Sequence, residues 1–211
     1  MRILELFCGT KSISKVFEKY GCEVVSVDIE ERFNPTICCN VLELDYKMLG
    51  NFDFIWASPP CVSYSNMGGG KHRAKITFEP LTDTAVIGDM LLNYTLEIID
   101  YFGCMYCIEN PRGGMRHILQ REYTPLNYCK YGSQFFKPTD IFNNIGFVGK
   151  LCKYERKGKI VDCHHQRIGG SHKNRVRGGI QRATQEEAYA IPPALVEEIY
   201  TIVKSLYYIK P

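Results

Sequence analysis

The constraint on this chain that matters most is an alternation. Short apolar runs of strand character, each closed by glycine or a polar residue, are separated by segments of helical period. Arg2–Phe7 is the first run, followed by the turn Cys8-Gly9-Thr10. Ser12 then reads as the N-cap of a helix carrying Ile13, Val16 and Phe17 on one face, stopped by Gly21. Glu23–Val27 is a second strand ending at Asp28, and Thr36–Val41 a third. Phe52–Ala57 is a fourth and runs into Ser58-Pro59-Pro60-Cys61. A helix over 82–102 with a stripe of Ile87, Leu91, Tyr94, Ile98 and Tyr101 leads to the strand Met105–Ile108, which ends at Glu109-Asn110-Pro111. Strands alternating with helices predict an α/β protein with a mainly parallel sheet. Sites in such sheets lie beyond the carboxyl ends of the strands, and four chemical signals fall there: Gly9, Asp28, Cys61 and Glu109.

Charge adds a second constraint. The whole chain is only +3, yet residues 150–182 hold ten basic and two acidic residues, leaving the remainder at −5. Such a strip on an acidic body is the footprint of polyanion binding, and a solvated basic loop is the bland alternative. No window approaches the twenty apolar residues of a membrane span. Glu5 interrupts the apolar run that a secretory signal would need. The expectation is a soluble intracellular protein. Ten cysteines in 211 residues lie mostly within apolar runs, which reads as buried thiols in a reducing compartment rather than as a disulfide framework.

Three motifs carry chemistry. In Phe7-Cys8-Gly9-Thr10-Lys11-Ser12, a glycine turn between strand and helix lets the backbone approach a cofactor. Asp28, about twenty residues on, is placed to hold ribose hydroxyls. In Ser58-Pro59-Pro60-Cys61, two prolines fix the backbone before a thiol at a strand end, as a nucleophile requires. Glu109 leaves a very apolar strand, partly desolvated and suited to donating a proton.

Together these residues resemble the DNA cytosine-5 methyltransferase family, over nearly the whole chain. The order is Phe7–Gly9, Asp28, Pro59-Pro60-Cys61, Glu109-Asn110, then Ile191-Pro192-Pro193 before a C-terminal helix over 186–211. Tyr131-Gly132 followed by Lys137-Pro138-Thr139-Asp140-Ile141 is similar to the short members encoded by phages and large viruses. The resemblance implies a Rossmann-like S-adenosylmethionine-dependent methyltransferase fold forming one catalytic domain over 1–211, with 145–185 as a reduced basic insertion. It implies that Cys61 adds to carbon 6 of cytosine and that Glu109 binds the ring at nitrogen 3, with Asn110 and Lys137 in the same catalytic group. S-adenosylmethionine would be held by Phe7, Gly9, Thr10, Ser12, Asp28, Ile29, Asn40 and Pro59. The partner implied is DNA, duplex first, contacted by Lys71, Arg73, Arg167, Lys173, Arg175 and Arg177.

The departures keep alternatives open. Lys11 stands where the family has glycine and is expected to crowd the methionine moiety or pair with its carboxylate. Asn40 replaces an acid, Pro111 replaces valine, and Lys137 replaces an arginine pair. A separate target-recognition domain is missing. RNA or a free cytosine nucleotide as substrate, and a non-catalytic nucleic-acid-binding relative, therefore stand beside the DNA reading. Lys71, His72, Arg73 and Lys75 form a basic tip on a Gly-rich loop over 62–80 that is expected to be mobile and to close over a phosphate. Tyr64 and Ser65 are expected to shape the base pocket. Cys152, Cys163, His164 and His165 lack the spacing of a zinc finger, and Cys104–Cys107 lies on a strand rather than at a helix start, so neither a metal nor a redox centre is expected.

Overall fold

The computed structural model describes residues 1–65, 69–153, 166–167 and 184–209. Its strands are β1 (Arg2–Leu6), β2 (Glu23–Asp28), β3 (Ile37–Cys38), β4 (Phe54–Ala57), β5 (Met105–Pro111), β6 (Tyr123–Asn127), β7 (Phe135–Phe136), β8 (Pro138–Asn143) and β9 (Gln166–Arg167). Its helices are α1 (Ser12–Lys19), α2 (Gly69–His72), α3 (Asp83–Phe102), α4 (Met115–Ile118), α5 (Gln185–Tyr189) and α6 (Pro193–Ile209). Seven strands form one sheet in the order β3-β2-β1-β4-β5-β8-β6. All neighbours from β3 through β5 are parallel, while β8 runs antiparallel to both β5 and β6. The sheet is the mainly parallel Rossmann-like one that the alternation predicts. β7 and β9 make a separate two-stranded pair.

Period-two alternation sorts the core into two layers. Ile3, Phe54, Trp56, Met105 and Cys107 face α1 and α6, where Phe17 stacks on Phe54 with ring centroids 5.5 Å apart. Leu4, Leu6, Ile55, Ala57, Tyr106 and Ile108 face α3 through Leu92, Ile98 and Ile99. Both faces of the central strands are therefore covered, which is why they read as unbroken apolar runs.

Several boundaries differ from the sequence reading. β3 is only two residues long, and β5 continues through Pro111 because Glu109, Asn110 and Pro111 pair with Ile141, Asp140 and Thr139 of β8. The buried residues of α3 are Ala85, Gly88, Leu92, Thr95, Ile98 and Ile99, so the expected stripe is met at Ile98. Ile87 and Tyr101 from the expected stripe are half exposed. Two helices, not one, occupy the C-terminal segment. Among the described cysteines, Cys8, Cys22, Cys104, Cys107 and Cys152 are buried, but Cys38 is exposed. No described helix is long and apolar enough to cross a membrane. No cluster of metal-ligating side chains occurs among the described residues, while Cys163, His164 and His165 lie outside them.

Candidate active site

Register places the site. Leu6, Val27, Ala57 and Ile108 stand in one row across β2-β1-β4-β5. The next residues of those strands, Phe7, Asp28, Ser58 and Glu109, therefore emerge together on one rim. A cavity of about 420 Å³ opens there. At one end its wall carries Phe7, Gly9, Thr10, Ser12, Asp28, Ile29 and Asn40; at the other it carries Pro59, Cys61, Glu109 and Lys137. Asn110 lies buried behind the wall, its Nδ2 donating to the Pro59 carbonyl at 2.9 Å.

The turn after β1 is wound tightly, with positive φ at Phe7, Gly9 and Lys11. Two non-glycine residues in this region are costly, a cost often met at functional loops. The turn is held by Cys8 N–H to the Val27 carbonyl (3.0 Å) and by Gly9 N–H to Asp28 Oδ2 (2.8 Å). The other Asp28 oxygen accepts from Glu30 N–H at 2.9 Å. Asp28 thus fixes two backbone segments at the cavity, and each oxygen keeps a lone pair for a further donor. Asn40 Oδ1 accepts from Leu42 N–H (3.1 Å), capping the turn of Val41–Glu43.

Ser12 is the first residue of α1 rather than its cap. The capping position falls to Lys11 in the left-handed conformation, without a side-chain cap bond. Glu5 of β1 does that work instead, its carboxylate accepting from Ile13 N–H (3.3 Å), Ser14 N–H (3.0 Å) and the Ser14 hydroxyl. Burial pushes the Glu5 carboxyl up to about 7 against the opposing hydrogen bonds. Ser12 Oγ accepts instead from Ile191 N–H at 3.1 Å, joining the C-terminal segment to the cavity, where Tyr189 and Ile191 add to the wall. Lys11 does not enter the cavity. Its Nζ donates to the Asn34 carbonyl at 3.0 Å, and its charge acts on Glu5 and Cys8, which line the cavity.

At the other end, Cys61 is half buried. Burial first, and then the charge of Glu109, push its thiol above the ordinary value, while Lys137 opposes them. Lys137 Nζ lies 3.6 Å from Glu109 Oε1, and the Tyr128 hydroxyl donates to the same oxygen at 2.9 Å. A thiol, a carboxylate and an ammonium therefore meet on one wall. Ile87 and Leu91, on a second apolar face of α3, complete the cavity near Val62.

The segment after Cys61 turns at once, with Tyr64 and Ser65 N–H both donating to the Cys61 carbonyl (3.0 and 2.8 Å). Gly113 packs so closely beneath it that a Cβ would sit 2.1 Å from the Tyr64 carbonyl oxygen. Tyr64 itself is core. Its ring is buried, its hydroxyl donates to Asp89 Oδ1 (2.8 Å), and neither it nor Ser65 lines the cavity. Arg73 also departs from expectation. Only 4% exposed, its guanidinium pairs with Asp89 (2.5 Å), donates to the Ser63 carbonyl (3.0 Å) and lies 4.4 Å over the Tyr64 ring. A guanidinium is buried only with such partners, so Arg73 is an anchor rather than a phosphate contact. With the Arg73–Pro80 bridge, it ties down residues 73–80 of the segment expected to be mobile, of which 66–68 lie outside the described residues. Lys71 remains exposed on α2. The backbone of Arg167 pairs beside Phe136, next to Lys137 in sequence. Lys173, Arg175 and Arg177 lie outside the described residues.

No protein-family model matches the chain. It is 34% identical to a "Probable DNA (cytosine-5)-methyltransferase" of Frog virus 3 (isolate Goorha), over 94% of this chain and 98% of that protein. Among solved structures it is similar to the Entamoeba histolytica methyltransferase EhMeth, with 16% identity, TM-score 0.51, and 72% of this chain covering 56% of that one. It is also similar to the S. pombe Dnmt2 methyltransferase, with 14% identity, TM-score 0.46, and 76% of this chain covering 57% of that one. The chain thus spans somewhat more than half the length of these solved relatives and nearly all of the viral one. The likeness to EhMeth shows a methyltransferase fold, and the viral relative carries the assignment further: the chain belongs to the DNA (cytosine-5)-methyltransferase family.

Proposed function

We propose that this protein transfers a methyl group from S-adenosylmethionine to carbon 5 of cytosine in DNA, through a covalent bond between Cys61 and carbon 6. The observation that carries this reading is the sharing of one cavity by Cys61, Glu109 and Lys137 at one end and the Gly9–Asp28 turn at the other.

The residues present fit the cofactor. Beside Gly9 the space is open, with nothing within 4 Å of where a Cβ would stand. Asp28 keeps acceptor capacity for ribose hydroxyls, and Ile29 offers a largely exposed apolar side chain to a purine. Phe7, Thr10, Ser12, Asn40 and Pro59 would complete the contacts. When bound, S-adenosylmethionine supplies an electrophilic methyl group. Carbon 5 of cytosine is a poor nucleophile until an electron pair is added next to it. The Cys61 thiolate supplies that pair by adding to carbon 6. Glu109 holds nitrogen 3 and the exocyclic amine, stabilising the enamine. Lys137 steadies the charge as a point cation. Loss of the carbon 5 proton and expulsion of the Cys61 thiolate restore the enzyme.

DNA as partner rests on the viral relative's name and on the strip over 150–182. Four to six of its cations touching phosphate would give a slope of log affinity on log salt of roughly −4 to −5 on duplex DNA. Replacing Arg175 and Arg177 by alanine would flatten it by about one to two units on every sequence alike. A tritiated-methyl assay across duplex DNA, single-stranded DNA, RNA and dCMP tests the substrate. Transfer to duplex DNA above the others is expected. Equal transfer to dCMP, or none to DNA, overturns the reading.

A further inference from the structure

We infer that Tyr128 is a positioning residue that fixes which oxygen of Glu109 handles the proton. The inference rests on the proposed role of Glu109 at the base. Tyr128 follows β6, and its ring, 2% exposed, is packed in the α1/α6 layer with Trp56 and Cys107. The phenol therefore reaches Glu109 from the core side. Its hydroxyl donates to Oε1 at 2.9 Å, and Lys137 Nζ stands 3.6 Å from the same oxygen and 4.6 Å from the Tyr128 ring centroid. An ammonium has donors and no acceptor. With a phenol donor and an ammonium both facing it, Oε1 is held as an acceptor, and a proton on Glu109 is confined to Oε2. One carboxylate oxygen becomes an anchor and the other the working atom.

The surroundings favour this division. Burial, and then the Glu109 charge, push the Tyr128 phenol well above its ordinary range, so it stays a donor. Among the described residues, Cys61 stands on the same wall, its thiol coupled to the Glu109 charge, and Asp140 on the adjacent β8 is paired with Arg116. Nothing in composition or spacing marked Tyr128, because a tyrosine before a turn reads as core.

A double-mutant cycle tests the assignment. Tyr128→Phe keeps the ring and removes the donor. It should lower kcat about tenfold or more with KM for DNA changed less than about twofold, the scale of one hydrogen bond to a charged group. In a Glu109→Gln background the same change should cost less than about twofold, since the amide still accepts the phenol's bond but carries no carboxyl proton to place. Equal losses in both backgrounds overturn the proposal. A thermal melt of Tyr128→Phe close to that of wild type shows that the loss in kcat is not one of folding, and a loss in kcat that only tracks a lowered Tm counts against the proposal. A readout free of activity separates this from failure of the proposed function. With carboxyl-labelled glutamate at one fixed pH, the Glu109 resonance, assigned by its absence in Glu109→Gln, should move in Tyr128→Phe, because the phenol's hydrogen bond to Oε1 is lost. An unmoved resonance overturns the positioning role even if methylation is confirmed. A moved resonance in a protein whose Glu109→Gln variant keeps full activity leaves the positioning intact and sinks the catalytic reading.

Discussion

Asn110 Nδ2 donates to the Pro59 carbonyl at 2.9 Å, so the strand that carries Glu109 is tied to the turn that carries Cys61. The contact crosses from β5 to the segment after β4 and holds carboxylate and thiol in one frame. Asn110 Oδ1, by contrast, is buried without a hydrogen-bond partner among the described residues. Asn110→Asp would set a carboxylate oxygen against the Pro59 carbonyl. It should lower stability by about 1–3 kcal/mol, the cost of an unmade buried bond, and depress kcat more than cofactor affinity. Thermal melts and steady-state kinetics check this. An unchanged kcat would show that the tie does not set the distance between the two groups.

The thiol of Cys61 is raised by burial and by Glu109 and lowered by Lys137. Its thiolate is the reactive form, so alkylation by iodoacetamide should rise with pH through the thiol's pKa. Lys137→Met should move that rise to higher pH, and Glu109→Gln should move it to lower pH. Alkylation profiles that coincide in all three proteins would remove Lys137 and Glu109 from control of the nucleophile.

Glu5 gives stability an unusual pH dependence. Its folded-state carboxyl is pushed to about 7, above its ordinary value of 4.5. The folded state therefore holds the proton more tightly than the unfolded chain. The stabilisation present below the unfolded value should be lost as pH rises from about 4.5 to 7, by about 3 kcal/mol at most. Urea melts between pH 5 and 8 should show this decline. In Glu5→Gln it should flatten, on a baseline lowered by the loss of one acceptor at the start of α1.

Arg73 and Asp89 should matter to folding rather than to DNA. Removing one partner of such a buried pair costs about 3 kcal/mol or more. Arg73→Ala should lower Tm by several degrees, whereas Lys71→Ala should leave Tm in place. An Arg73→Ala protein with wild-type Tm and a weaker salt slope on DNA would restore the phosphate-contact reading.

Much of the fold was legible because parallel strands buried on both faces leave apolar runs whose ends are easy to see. Gly9, Asp28, Cys61 and Glu109 could be picked out for that reason. The extension of β5 was not legible, because it depends on a partner strand thirty residues away in an antiparallel turn of the sheet. The stripe on α3 was right in part: Ile98 is buried and Leu91 and Tyr94 pack against the core, while Ile87 lines the cavity and Tyr101 is half exposed, because the helix carries apolar residues toward both the sheet and the cavity. Glu5 was hidden by its strand, although a lone acid amid Ile3, Leu4 and Leu6 was a signal that it caps something buried. Arg73 was misjudged because neighbouring glycines and cations suggest a solvated tip, and only tertiary contact brings Asp89, sixteen residues on, to its side.

The central claim is a covalent bond at Cys61, and trapping it is the most direct measurement. The protein is incubated with S-adenosylmethionine and duplex DNA carrying 5-fluorocytosine, whose fluorine cannot leave as a proton does. Digestion and mass analysis then locate any linked nucleotide. The account predicts a methylated fluorocytosine adduct on the peptide containing Cys61, absent without S-adenosylmethionine and absent in Cys61→Ser. Methyl transfer to DNA without an adduct, or an adduct mapped to another cysteine, would contradict it.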